Sequence, residues 1–310
     1  MWKWVNRVAI GILILLLLLR GLDWMSRHSK SLPPVPKDND YPALLAAAEK
    51  IVKPSGDLVD LSKAELQKWI DQNRQATEEA TRILEKGNIA VPLSAERGWM
   101  AEHREAIKSF KNLAISYTLE SRLLNLNGHT NSHPALNIIL LGQAICRGGV
   151  GADIANGLIL ETIGNGLLQA NLVGLDAVEC RKAAQFLEDQ EERRETPLQI
   201  LQNEKIWLDA SYGLVSRVLG FTGAKDTEKN KLEFTTRYNR SRGLTTRLMV
   251  RLAAHAYELD NGKSAATVVD LVPSYLKKIP QDPETGKTVT LRQSIEEPPT
   301  GKKEDNKLEK

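Results

Sequence analysis

The sequence predicts an all-α protein: an N-terminal transmembrane helix, then a multi-helix bundle or irregular helical-hairpin array, and a short non-helical C-terminal tail. Three observations carry that expectation. Apolar residues fill 42% of the 310 positions but aromatics only 5%, so the core must be built from Leu, Ala, Ile and Val. That supply suits helices better than the β-branched and aromatic runs of strands. Apolar residues also recur at helical spacing from Tyr41 to about Leu259. Finally, Val8 to Leu19 is an unbroken apolar run of twelve.

Twelve residues alone are too short for a hydrocarbon core of roughly 30 Å. Extended from Trp4 to Trp24, twenty rises of about 1.5 Å reach that thickness. Trp2, Trp4 and Trp24 then lie at the membrane interfaces, with Arg7 and Arg20 near enough to snorkel. Residues 1–25 are therefore read as a signal-anchor. A cleaved leader is the alternative; its nearest small-x-small triplet, Ser29-Lys30-Ser31, lies well downstream. Residues 26–40 carry three prolines and read as a stiff stalk.

The body spans residues 41–222. Ser62 and Glu65 form a capping box, and Leu66, Trp69, Ile70, Asn73, Ala76, Ala80, Ile83 and Leu84 share one face of a helix that Gly87 ends. A second helix, roughly Ser94 to Leu126, buries Met100, His103, Ile107, Phe110 and Tyr117 and stops at Asn127-Gly128. Between residues 133 and 174 the chain is apolar on most faces, with glycines at 142, 148, 149, 151, 157, 164, 166 and 174. Arg147, Asp153 and Glu161 exclude a second span there. A buried helix pair broken at Gly148-Gly149 is expected, its small residues allowing close backbone approach.

Asp176 with Glu179 predicts another capping box, opening a helix whose charged end, residues 188–195, is expected to be solvated. Thr196-Pro197 starts the next helix, expected to bury Leu198, Leu201, Leu208, Tyr212, Val215 and Leu219. Residues 223–240 lose periodicity and read as a charged loop. Residues 241–290 comprise a helix using Leu248, Leu252, Ala256 and Leu259, ended by Asn261-Gly262, and a tail. In that tail Ser264 caps a short turn with Val268, Val269 and Leu271 inward, and Tyr275, Leu276 and Ile279 serve as apolar pins. Residues 291–310 are polar and expected to be disordered.

Few motifs point to chemistry. His129 and His133 have a metal-like spacing, but Gly128 and Pro134 flank them as in a connector, and no glutamate lies between. No metal site, cofactor or catalytic residue is assigned. Cys146 and Cys180 are expected to be buried free thiols, with a single disulfide as the alternative. The glycine-rich stretch at 147–157 lacks the Lys-Ser/Thr ending of a phosphate loop. Basic residues number 42 and acidic ones 39, interspersed, so no basic face offers itself to nucleic acid.

The tail resembles the segment after the long helix of secretion pseudopilins. Tyr257 to Gly262 precedes Asp270-Leu271-Val272-Pro273 and then Asp282-Pro283, about a tenth of the chain. It departs at the N-terminus, which lacks the Gly-Phe/Met and following Glu of a processed prepilin. The overall layout resembles uncharacterised membrane-anchored helical proteins of planctomycete-type bacteria, which implies an envelope location. The expected role is a membrane-tethered helical interaction or scaffold module of the bacterial envelope, with the body extracytoplasmic and a protein partner possible. Alternatives are an envelope hydrolase with its site between helices, or a component related to a secretion apparatus.

Overall fold

The computed structural model describes residues 10–15, 17–21, 25, 31–53, 58, 60–96, 98–218 and 228–295. Among them the chain is helical, with a single isolated β-bridge, Gln281 to Thr288, and no strand. The main helices are α1 (Tyr41–Glu49), α2 (Lys63–Lys86), α3 (Trp99–Leu126), α4 (His133–Cys146), α5 (Gly151–Asn171), α6 (Ala177–Glu192), α7 (Pro197–Val218) and α8 (Glu228–Asn261). Short 3₁₀ turns follow α5 and α8, and α9 (Leu291–Ile295) closes the described chain.

Local chemistry sets several boundaries as expected. Ser62 Oγ accepts from the Glu65 N–H while the Glu65 carboxylate accepts from the Ser62 N–H at 2.9 Å, satisfying two donors that a helix start leaves unpaired. Gly87 ends α2 at φ +72, a left-handed conformation that suits a residue without Cβ. Thr196 and Gln199 cap α7 reciprocally.

Two apolar cores share α4. One joins α1, α2, α3 and one side of α4 around Leu44, Leu66, Phe110, Tyr117 and Leu141. The other joins Ala135 and Ile139 of α4 to α5, α6, α8 and the tail. A helix buried on nearly all sides needs small neighbours, and α4 pairs with α5 through glycines. A Cβ on Gly142 would stand 2.6 Å from the Gly157 carbonyl oxygen, and one on Gly164 would stand 2.8 Å from that of Ala135. The two backbones approach to a distance that no larger residue permits.

Several expectations are corrected. Residues 228–240, read as part of a charged loop at 223–240, open the 34-residue helix α8; residues 223–227 lie outside the described part. Phe234 and Tyr238 supply the buried face that a scatter of charges hid, packing with Cys146, Ile154 and Ile200. In α7 the buried face is Ile200, Trp207 and Ala210; Leu198 is 65% exposed, Tyr212 is exposed, and the side chains of Val215 and Leu219 lie outside the described part. The large indole of Trp207 decides the rotation. Leu259, Val269 and Ile279 are also exposed, whereas Leu252, Val268, Leu271, Tyr275 and Leu276 are buried. Thr267, not Ser264, caps the turn at Val268, its N–H donating to Asp270. Asp176 caps α6, but the Glu179 carboxylate reaches across to the Ser132 N–H and hydroxyl at the start of α4.

Of the expected anchor, residues 10–15 and 17–21 are helical, while Trp2, Trp4, Arg7 and Trp24 lie outside the described residues. Among the described residues no helix is long and apolar enough to cross a membrane. The stalk ends in a fixed joint: Asn39 Nδ2 donates to the Ala90 carbonyl at 2.8 Å and its Oδ1 accepts from the Ala90 N–H at 2.9 Å. The tail is pinned equally firmly. Glu188 accepts from the backbone N–H groups of Lys277 and Lys278 at 2.8 and 3.1 Å, and the Tyr275 hydroxyl donates to Asp260 at 2.9 Å.

Candidate functional site

Sequence spacing placed no functional side chains together. The fold does so in three places, all between helices. The first joins α1, α3 and α5. His103 Nε2 lies 2.5 Å from Asp153 Oδ1, and its Nδ1 lies 3.3 Å from the Tyr41 hydroxyl. Asp153 also accepts from the Val150 N–H at 2.9 Å, closing the first turn of α5. Burial, reinforced by the Asp153 charge, pushes the Tyr41 phenol well above its usual range, so it keeps its proton. Trp99 stacks on the ring at 4.5 Å between centroids, and Trp207 packs on Trp99 at 5.6 Å. Both ring nitrogens are occupied and all three polar side chains are buried. This array has the parts of an acid–base relay, but with every site consumed internally it acts as a polar lock between helices.

The second place is an ion-pair cluster among α5, α6, α8 and the loop after α6. Glu161 is fully buried, and both its oxygens accept from Arg194, one at 3.0 Å and the other closer. This is the paired fork that guanidinium and carboxylate favour. Arg194 Nε also lies against Glu191 Oε1, a charge contact without hydrogen-bond alignment, and Arg242 donates to the other Glu191 oxygen at 3.0 Å. Burial raises the Glu161 carboxyl above its ordinary value, with Arg194 pulling the other way. Burial alone would depress the Arg194 guanidinium, but Glu161 and Glu191 hold it above its usual range. The expectation of a solvated charged end at residues 188–195 holds for Glu192 and Arg193, which are exposed, and fails for Glu188, 2% exposed, and the Arg194 side chain, 4% exposed. The side of the helix end that faces α5, α8 and the tail pairs its charges inward, and the other side meets solvent.

The third place is open. A cleft of about 260 Å³ runs between the end of α2, the length of α4 and the last turns of α6. Leu84, Ile89, Leu136, Leu140, Ala144 and Phe186 form its apolar wall. Arg147, Arg193, Gln143 and Gln190 line one end, and these four also border an adjoining hollow beside Cys146 and Tyr238. Arg147 is half-committed, donating to the Ile89 carbonyl at 3.3 Å and more closely to that of Gly87. Burial lowers its pKa, opposed by Glu195, while Arg193 adds to the lowering. Gln143 is only 7% exposed, yet its Nε2 is sealed from solvent with no hydrogen-bond partner.

His129 and His133 are both exposed and sit apart in role: His129 is in the turn before α4, while His133 opens α4 and faces Glu85 at 3.4 Å. Among the described residues no three His, Cys, Asp or Glu side chains gather where a metal ion would be held. Cys146 and Cys180 are free and buried in different apolar clusters. Burial lifts the Cys180 thiol to about 12 and the Cys146 thiol well above its ordinary value. The polar arrays were illegible in the sequence because their members lie 50 residues apart for His103 and Asp153, and 33 for Glu161 and Arg194. The one available signal was the presence of Asp153 and Glu161 in an otherwise apolar stretch, since a buried carboxylate demands a partner. No family model, curated protein or solved structure matches the chain.

Proposed function

We propose that the protein is a membrane-tethered helical interaction module of the bacterial envelope, anchored by residues 4–24 and presenting its helical body outside the cytoplasm. The observation that supports this most is the outward-facing apolar surface of the N-terminal helical residues. Ile10, Leu13, Leu17 and Leu18 are each 57–61% exposed, and Ile12, Ile14 and Leu15, at 53–55%, carry the exposed apolar surface around the other sides of the helix. Water disfavours such a surface by roughly 25 cal/mol per Å², and a bilayer removes that cost. The Pro-rich segment that follows leads into the fixed joint at Asn39, which suits a tether better than a loose leader.

In the body, the His–Asp and Glu–Arg arrays are used to hold helices together, which favours an interaction role over hydrolysis. The test is fractionation of cells carrying the full chain, with protease added to intact spheroplasts. The chain is expected in the membrane fraction, resistant to high salt and alkaline carbonate, with its body digested from outside. Recovery of the intact chain in the soluble fraction would sink the tether. Protection of the body until the inner membrane is broken would sink the proposed orientation.

A further inference from the structure

Every charge on α5 points inward. Asp153 and Glu161 are its only ionisable residues, and both are buried and paired. The exposed positions from Ala152 to Ala170 carry no charge, and Ala155, Ile159, Thr162, Ile163 and Gly166 form a stripe at helical spacing. Ile159 is 53% exposed and Ile163 43%, and the space over Gly166 is open. An ordinary solvated helix face looks different: that of α2 sets out Lys68, Asp71, Arg74 and Glu78. An exposed uncharged stripe on a helix of 21 residues, about 30 Å long, marks a contact surface.

The neighbours on both sides of the stripe are cationic. Helices α3, α5 and α8 run in the same direction. His103 and then Ser121 of α3 meet Asp153 and then Asn171 of α5. Phe234 of α8 lies in a groove with Ala155, and Thr245 accepts from the Asn165 amide at 2.8 Å. These contacts fix how each helix is rotated. Arg104, Lys108 and Lys111 stand about a third of a turn from the α3 contact line, and Arg237 and Arg240 about a third of a turn the opposite way on α8. Both sets therefore flank the stripe on one side of the body, and all five are exposed. Charges interspersed along the chain are sorted here by the fold. Two exposed carboxylates temper the rims, Glu105 at Lys108 and Glu233 at Arg237.

We propose that this side of the body lies on an anionic lipid surface. The α5 stripe rests among the headgroups and upper acyl carbons, and the α3 and α8 cations reach the lipid phosphates. The paired rims choose the occupant, because long cationic side chains beside an apolar helix face are what an anionic interface accommodates. A second copy fits poorly: a two-fold pairing of stripes sets cationic rim against cationic rim. Nucleic acid would press the isoleucines against phosphate. The bilayer is also within reach. Asn39 is bonded to Ala90, and the adjoining Val91 N–H donates to the Arg147 carbonyl at 2.8 Å, four residues before α5 begins. The inference rests on the tether proposed above.

The experiment places the full chain in nanodiscs of phosphatidylcholine, alone or mixed with phosphatidylglycerol. A nitroxide is attached at Thr162→Cys on the stripe or at Gln75→Cys on α2, both exposed, whereas Cys146 and Cys180 are buried. In the mixed discs the label at 162 should be shielded from a water-soluble nickel chelate by at least about tenfold relative to phosphatidylcholine discs, and high salt should reverse this. The label at 75 should stay accessible in both. Lys111→Gln and Arg240→Gln should each lower the bound-to-free ratio of the face about fivefold. Ile159→Asp should release the face at an unchanged melting temperature. Equal shielding in both discs would mean that uncharged lipid or a second copy covers the stripe, and would overturn the anionic partner. Shielding that survives Ile159→Asp, or full access in both discs with the chain incorporated, would overturn the contact and leave the tether standing. A chain that enters neither disc would overturn the tether and this contact with it.

Discussion

Two residues decide the cost of the buried charge. Glu161 and Arg194 form a forked pair with almost no solvent contact, but Arg194 also has Glu191 beside it. Removing the cation therefore leaves Glu161 buried without a counter-ion and Glu191 with Arg242 alone, whereas neutralising Glu161 leaves Arg194 still beside Glu191. Arg194→Met should lose about 3–5 kcal/mol, and Glu161→Gln clearly less, measured by urea unfolding. The pH response follows. Burial already raises the Glu161 pKa, so the folded chain binds that proton more tightly than the unfolded chain. Such a contribution is fully present below the unfolded value and is lost as pH rises through the folded one. Without Arg194 the upward shift grows, so the deficit of Arg194→Met should shrink between about pH 8 and about pH 5. A deficit that deepens on acidification would contradict this account. The two thiols offer a second residue-scale check. Cys180 is buried with its thiol lifted to about 12, and Cys146 is buried under Tyr238 and Ile154. Neither should react with iodoacetamide at pH 8 until denaturant is added.

At the scale of elements, the α4–α5 pair depends on what its glycines omit. A Cβ on Gly157 would run into Cys146 Sγ and the Gly142 carbonyl. Gly157→Ala gains helix propensity, up to about 1 kcal/mol, yet must separate two helices, so a net loss of roughly 1–3 kcal/mol is expected in chemical denaturation. Stabilisation by this substitution would show that the helices are not so close. The tail makes a different test. Glu188 holds two backbone N–H groups of residues 277–278, and replacing it with Ala leaves both unsatisfied, at about 1–3 kcal/mol. Limited proteolysis should then cut within 276–290 before the body unfolds.

These elements also show where sequence reading succeeds. The start and end of α2 were legible because Ser62, Glu65 and Gly87 act on their immediate neighbours. Its buried stripe was legible because Leu66, Trp69, Asn73 and Ala80 face the core on one helical period. The first turns of α8 were not, because Phe234 and Tyr238 stand among nine charged residues from 225 to 242, and only contact with Ile154 and Cys146 assigns them to a face. The face of α7 failed for the same reason: Leu198 and Trp207 are both apolar, and the partner selects between them. The cleft could not be read at all, since Arg147 and Arg193 converge only after α4 and α6 have packed.

For the whole molecule, one helix governs the assembly. Because α4 belongs to both cores, a disturbance at its centre reaches α2 and α8 alike. That coupling favours a single cooperative unfolding transition of the body, seen equally by Trp69 on one side and Tyr275 on the other. Two separated transitions would mean that the cores are independent.

The bond between Asn39 and Ala90 has a mechanical consequence. For a body held at a bilayer as proposed, residues 25–38 lie between the anchor and that joint, a reach of no more than about 50 Å when fully drawn out. The bundle then pivots around Asn39, at a height above the lipid headgroups that this stretch of chain sets.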